Sequence, residues 1–362
     1  MRVIALTDRI PPMPTVIKFG RLVGENIMKI GIVFDLKEDY NIESENTDYH
    51  DFCFLSEAET AYNNLSLLGH DVTYIGNPVE LLKKINTGSL NCEIIYNIAE
   101  GYRSRNREGI VPSICEAYHI PYTGTDAFGL SLSLHKYQMS CFLKNYNISV
   151  PNELIFTPDL DKTDELDDRI KNSGIDYPII LKPNHEGSSM GVNLVKNKIQ
   201  LKTALTDCIN RFCQEILIQE YIPGMELSTC ILGTGNNAHI YGSVEYKTLF
   251  GKDIELFTEQ LKINGNHQMT IPRLDKKILN EIEAQALYIH RVTDIKDISR
   301  IDWRFDLEKN KVFFIELTPL PDLSAGNEFD WVAKQRKEPY SQVFAEIIKS
   351  ASLRYSNIKV TT

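Results

Sequence analysis

The sequence predicts an α/β protein of more than one domain, and three observations carry the prediction. Between residues 29 and 125, short β-branched runs alternate with helix-patterned segments, the order expected of a small parallel sheet flanked by helices. Between 177 and 195, two apolar runs flank a loop of small residues, a strand–loop–strand signal. Between 298 and 318, two period-two segments flank a polar turn, as in an antiparallel hairpin. A chain of 362 residues is long enough for two or three domains and a large core.

Taken in order, residues 29–34 (KIGIVF) form a buried strand by pattern. In 55–68, Leu55, Ala58, Ala61, Tyr62, Leu65 and Leu68 recur at helical spacing, and Gly69 supplies the stop. A strand over 72–75, a short helix over 78–85, a strand over 93–96 and a helix over 108–118 complete the first unit, which PYTG closes at 121–124. Residues 130–146 read as one helix containing Lys136, ended by Ser149-Val150-Pro151. The acidic run 159–168 reads as a solvated helix or loop. Strands follow over 216–222, 226–232 and 238–244, and the polar segment 247–267 reads as a long mobile loop. Asp275 is placed to N-cap a helix whose apolar side carries Ile278, Ile282, Leu287 and Ile289.

Composition narrows the function. A net charge of −10 argues against nucleic acid or an anionic membrane as the main partner. Seven scattered cysteines with no CxxC pair read as reduced thiols of a cytoplasmic protein. No apolar run approaches the roughly twenty residues of a membrane span, and residues 1–28 lack the apolar core of a signal peptide, so they read as an extension outside the fold.

Two constellations carry chemistry. In YPIILKPNHEGSSMGV (177–192), Gly187, Ser188, Ser189 and Gly191 leave backbone N–H groups uncovered, and Lys182 adds a charge at the strand end. Phosphate is the ligand that suits such groups. The plainer reading is an ordinary hairpin loop, and no Walker A string occurs. In 298–305 the period places Arg300, Asp302 and Arg304 on one face, and in 312–318 it places Glu316 and Thr318 on one face. A hairpin symmetric about Lys309 sets Asp302 directly opposite Glu316. Such a carboxylate pair is relieved either by a divalent cation shared with phosphate or by salt bridges from Arg300 or Arg304.

Together these motifs resemble the ATP-grasp superfamily, and within it the D-alanine–D-alanine ligase family and its relatives. The resemblance rests on LKPNHEGSSMGV, IQEYIPGMELS, RIDWRF and FIELTPLPDLS in this order, and on NIAEG…REGIVPSICEAYHIPYTG, and it spans residues 29–350. It implies a three-part fold: an N-terminal α/β domain (29–125), a central subdomain (126–215) and a C-terminal subdomain (216–352), followed by a tail (353–362). It implies ATP and Mg²⁺ as cofactors, amino-acid or short-peptide substrates, and a homodimer as a common assembly. Lys136 and Lys182 would contact ATP phosphates under a loop of Glu186, Gly187, Ser188 and Ser189; Gln219, Glu220, Tyr221 and Ile222 would flank adenine; Glu226 would hold the ribose. Asp302, Glu316 and Thr318 would bind metal, while Arg300, Lys247 and Ser188 would serve catalysis, Lys247 by reaching the transferred phosphoryl group.

The reaction implied is ATP-dependent joining of a carboxylate to an amine through an acyl phosphate, with 247–267 as lid. Four departures from the family pattern stand out. The first loop is Phe34-Asp35-Leu36-Lys37-Glu38-Asp39 rather than Gly-rich, Glu100-Gly101 replaces an HG pair, Thr318 replaces an Asn, and Asp322 replaces a Gly. Glu100, Arg103, Arg105 and Arg107 read either as an altered substrate pocket or as a solvated loop. The departures leave a second reading, a nucleotide-binding homologue of weakened catalysis acting as a regulatory partner, and a third, a kinase-like enzyme that stops at phosphoryl transfer.

Overall fold

The structure, a computed structural model, describes residues 27–42 and 52–355. The extension expected over 1–28 and the tail expected over 353–362 therefore lie almost wholly outside the described residues. Met28 is an exception. It is buried, and its N–H donates to His70 Nδ1 at 3.3 Å.

The first sheet is parallel, in the order β2 (Asp71–Gly76), β1 (Lys29–Val33), β3 (Ile94–Asn97). Continuous burial of β1 and β3 explains their unbroken apolar sequences. Helices α1 (Leu55–Leu67), α2 (Pro78–Asn86) and α3 (Ile110–Ala117) connect and extend them. The chain leaves α1 through Gly69 at φ +92°, a left-handed turn that favours glycine. On the face that also carries α1, Ile30, Ile32 and Tyr96 share a core with Phe329, Phe344 and Ile347 from the C-terminal part, while α2 and α3 cover the other face.

The helix expected over 130–146 is two helices, α4 (Ala127–Leu134) and α5 (Lys136–Lys144), broken at His135, where ψ is 90°. Contacts from another segment cause the break. Asn184 accepts from the Lys136 N–H through its carbonyl and from the Tyr137 N–H through its side chain, each at 3.0 Å. Periodicity reports only the face of a helix, so it runs through such a break unseen.

The second sheet is four-stranded and antiparallel, in the order β4 (Glu153–Phe156), β7 (Ile216–Glu220), β5 (Ile179–Pro183), β6 (Asn193–Val195), and it packs on α6 (Leu166–Asn172) and α7 (Lys198–Phe212). Strand β7, assigned by sequence to the third part, thus bonds inside the second. Met139, Leu143 and Ile148 pack with the C-terminal core instead of with this sheet.

The third sheet is antiparallel, in the order β10 (His267–Thr270), β9 (His239–Thr248), β8 (Met225–Leu232), β11 (Ile298–Asp306), β12 (Lys311–Thr318). The segment read as a loop over 247–267 instead ends β9, folds helix α8 (Glu259–Ile263) and enters β10. Buried Ile254 and the packing of Phe257 on Tyr246 and His267 anchor it. Asp275 caps α9 (Lys276–Val292) by accepting from the Lys277 N–H at 2.8 Å. Trp303, fully buried in β11, donates to Thr229 Oγ1 at 3.2 Å and meets Phe314 edge-on. Helices α10 (Glu328–Arg336) and α11 (Ser341–Ser352) follow β12.

Gly224 sits at φ +110° in the link between β7 and β8, and a Cβ there would lie 2.1 Å from the Phe305 carbonyl oxygen. Gly224→Ala should therefore destabilise the fold by about 2 kcal/mol or more, read as a lower midpoint in urea.

Candidate active site

Strand pairing builds the floor of the site. Asp302 faces Glu316 across β11 and β12, the pairing the sequence predicts. A bulge makes it so. From Asp306↔Lys311 to Trp303↔Phe314 the register is centred half a residue short of Lys309, and the irregularity after Asp302 restores it. Each carboxylate meets a cation. Arg300 grips Asp302 with two bonds of 2.8 and 2.9 Å, and Ser228 Oγ adds a third. Glu316 pairs with Lys136 at 2.7 Å. Burial alone would raise the Glu316 carboxyl, but the Lys136 and Lys182 ammoniums outweigh it and hold it at about 2.

The break at His135 gives Lys136 its place. From the first position of α5, its ammonium also donates to the Glu186 carbonyl. The phosphate-loop candidate lies above. Ser188 and Ser189 both adopt left-handed φ (52° and 59°), and Gly191 follows at 65°, a run of the kind that forms anion-binding nests. At Gly191 a Cβ would sit 2.5 Å from the Phe212 ring. From the segment between β3 and α3, buried Arg107 donates to the His185 carbonyl at 2.9 Å and lies 3.8 Å from the Glu186 carboxylate, which also accepts from Gln214 at 2.7 Å.

One cleft gathers Lys136, Lys182, Glu186, Ser189, Gln219, Glu220, Tyr221, Ile222, Glu226, Arg300, Asp302 and Glu316. Its apolar part comes from Ile180, Met190, Val192 and Leu256. Lys182, at the end of β5, is buried, and burial followed by the charge of Lys136 pushes its ammonium down to about 8. Gln219 donates to Glu153 at 3.1 Å, and the Tyr221 hydroxyl to the Glu255 carbonyl at 3.1 Å. Glu226 is raised by burial, partly offset by Arg304, which bonds it at 2.6 Å while also holding the carbonyls of Ile222 and Ile254.

A second compartment adjoins the first. Gly187, Ser188 and Thr318 line it with Phe54, Glu108, Leu134, Met269 and Asp322. Asp322 turns back on its own loop, accepting from the Ser324 N–H at 2.7 Å. Thr318 pairs with Arg300 across the hairpin. Asp302 and Glu316, with Thr318 on the same face, present oxygen donors that suit a divalent cation completed by phosphate oxygens. Among the described residues no group of three or more His, Cys, Asp or Glu converges to hold a metal by itself.

Lys247 is the exception among the sequence-predicted residues. Its ammonium pairs with Glu245 and Asp253, and it lines neither compartment. Strand alternation is the reason. Tyr246 points into the cleft, so Lys247, one residue on, points to the opposite face of β9. Sequence reasoning missed Lys262, Glu328, Tyr246 and Ser228, all lining the first compartment. Ser228 alone carried a signal, since it lies two residues from Glu226 on the same strand face, whereas Tyr246 meets Glu226 only through the pairing of β8 with β9. Arg107, read as pocket or solvated loop, is buried, lines a cavity with Arg103 and Arg105, and supports the phosphate-loop candidate through the His185 carbonyl.

The model of the family described as D-ala D-ala ligase C-terminus matches residues 142–349. The chain is 26% identical over 303 residues to a D-alanine–D-alanine ligase of Wolbachia sp. subsp. Drosophila simulans (strain wRi), covering 83% of this chain and 88% of that one. The D-alanine–D-alanine ligase of Bacillus anthracis, solved in complex with ATP, superposes with a TM-score of 0.69 at 18% identity, over 90% of this chain and 98% of that one. The VanG D-Ala:D-Ser ligase of Enterococcus faecalis gives the same TM-score and identity, over 90% and 100%. No helix among the described residues is long and apolar enough to cross a membrane.

Two predictions follow from the geometry. If an anionic ligand binds through the Lys182 ammonium, its affinity should fall as pH rises above about 8, by up to about tenfold per unit, because the unprotonated form then dominates in the free protein. ATP titrations between pH 7 and 9.5 check it. Arg107→Ala should weaken ATP binding by about tenfold, and Arg107→Lys by less, because the His185 carbonyl keeps a donor; equilibrium binding reads the difference.

Matched by that family over more than half its length, and folded like its members, the chain belongs to the D-alanine–D-alanine ligase family of ATP-grasp, ATP-dependent ligases.

Proposed function

We propose that the protein joins the carboxylate of one amino acid or short peptide to the amine of another, using ATP and Mg²⁺ and releasing ADP and phosphate. The carrying observation is that one cleft brings together a phosphate-loop candidate, buried cations and an opposed carboxylate pair, and opens into a second compartment of substrate size.

In this reading the nucleotide lies in the first compartment, with adenine beside Gln219, Glu220, Tyr221 and Ile222 and the ribose at Glu226. Lys136 and Lys182 neutralise phosphate charge, and the loop 186–189 closes over the phosphates. Asp302 and Glu316 would hold Mg²⁺, which draws the phosphoryl oxygens together and offsets their charge. Arg300 and Lys136 give up part of their hold on these carboxylates when phosphates enter, so the two cations turn from internal counter-ions to ligand contacts. Arg300 then faces the charge that develops on the acyl centre. The acyl phosphate is sensitive to water, and the 249–263 segment over the cleft, with Leu256 and Phe257 in its wall, excludes it.

Asp322 in the second compartment favours an alternative in which catalysis is weakened and the protein acts as a nucleotide-binding partner. Phosphate release from ATP, measured with Mg²⁺ and with single and paired amino acids of both hands, decides between them. Release that requires two substrates, with a product mass equal to their sum less water, establishes the ligase. Asp302→Asn should then lower kcat by about 100-fold or more. ATP binding without turnover for any pair would favour the partner reading.

A further inference from the structure

The cations of the cleft fall into two groups. Lys136 is held by Glu316, Arg300 by Asp302 and Arg304 by Glu226. Lys182 and Lys262 differ: among the described residues, neither ammonium has a carboxylate within salt-bridge distance. Lys182 belongs to the nucleotide compartment alone, whereas Lys262 lines both compartments.

Lys262 lies on α8, within the segment that covers the cleft, with its ammonium 5.3 Å from the centre of the Phe257 ring. Burial and then the charge of Arg300 push its pKa down, while Asp302, Glu316 and Glu328 act the other way. Lys262 is half-buried, and a cation partly withdrawn from water without a close counter-ion is costly to keep. An anion entering between the compartments would relieve that cost. The place where an anion must pass is also where a phosphoryl group would leave ATP for the acid.

We propose that Lys262, and not Lys247, is the cation that bonds the transferring phosphoryl group. The assignment rests on the ATP-dependent ligase reading above. In the first step a carboxylate oxygen attacks the γ-phosphorus, and the bond from that phosphorus to the bridging oxygen breaks, its electron pair leaving with ADP. Lys262 donates an N–H to an equatorial oxygen of the phosphoryl group as it crosses. In the second step the amine nitrogen attacks the acyl carbon, the carbon–oxygen bond to phosphate breaks with its pair leaving on phosphate, and the amine proton passes to water. A residue lining both compartments can stay bonded to the phosphoryl group through both steps. Lys247 cannot, because β9 turns it away from the cleft towards Glu245 and Asp253.

The test compares ATP and ADP, which differ only in the γ-phosphate. Affinities of both nucleotides are measured by calorimetry, and kcat by phosphate release. Lys262→Gln should bring ATP affinity down to that of ADP, leave ADP affinity within twofold of the unsubstituted protein, and lower kcat about 100-fold. Retained ADP binding shows that the variant is folded, and Lys262→Arg should restore part of the ATP preference. An unchanged ATP preference in Lys262→Gln, or its loss in Lys247→Gln instead, overturns the assignment alone. An unsubstituted protein that binds neither nucleotide overturns the ligase reading with it.

Discussion

Asp302 and Glu316 face each other on adjacent strands, and two like charges at that separation must be neutralised for the hairpin to stay paired. The solution draws on distant parts of the chain. Arg300, two residues from Asp302 on the same strand face, supplies one counter-charge. Lys136 supplies the other from a helix whose start is fixed by Asn184, the residue that follows β5 and leads into the phosphate-loop candidate. The carboxylate pair therefore ties the floor of the cleft to its roof. In the proposed reading, phosphates would compete for the same cations, so the internal pairs that stabilise the site would also prepare it for a highly charged ligand.

A second set of contacts holds the compartments together. Arg304 leaves the same hairpin face, bonds Glu226, and holds the carbonyls of Ile222 and Ile254, joining the wall after β7 to the covering segment. Arg107 crosses from the segment between β3 and α3 to the backbone at His185. In each case a guanidinium spans segments distant in sequence, using several donors in a fixed geometry that a lysine lacks.

The departures from the family pattern acquire physical roles. Asp35, in the altered first loop, is fully buried and accepts from the N–H groups of Glu100 and Gly101 at 2.9 and 2.7 Å and from the Tyr40 hydroxyl at 2.7 Å. It fixes the second loop where the HG pair is missing. Asp322 spends one oxygen on the Ser324 N–H, and its charge is one of the forces that raise the Glu57 carboxyl, after burial itself. Asp322 thus lines the second compartment, and Asp35 sets the backbone at Glu100, which lines it too.

By itself the sequence determined what local pattern can encode. Burial on both faces wrote β1 and β3 as apolar runs, and alternation wrote β11 and β12 so plainly that the Asp302–Glu316 pairing is legible before folding. The small-residue loop after Lys182 is legible as a phosphate-loop candidate from its Gly and Ser content. Tertiary structure decided the rest. The break at His135 depends on Asn184, 49 residues away, and leaves no trace in helical periodicity. The opposed destinations of Lys247 and Lys262 depend on which face of β9 turns to the cleft and on α8 folding back across it. Local spacing names the residues that can carry charge; which of them meet is set by long-range packing, because a strand's outward face is fixed only by what lies against it.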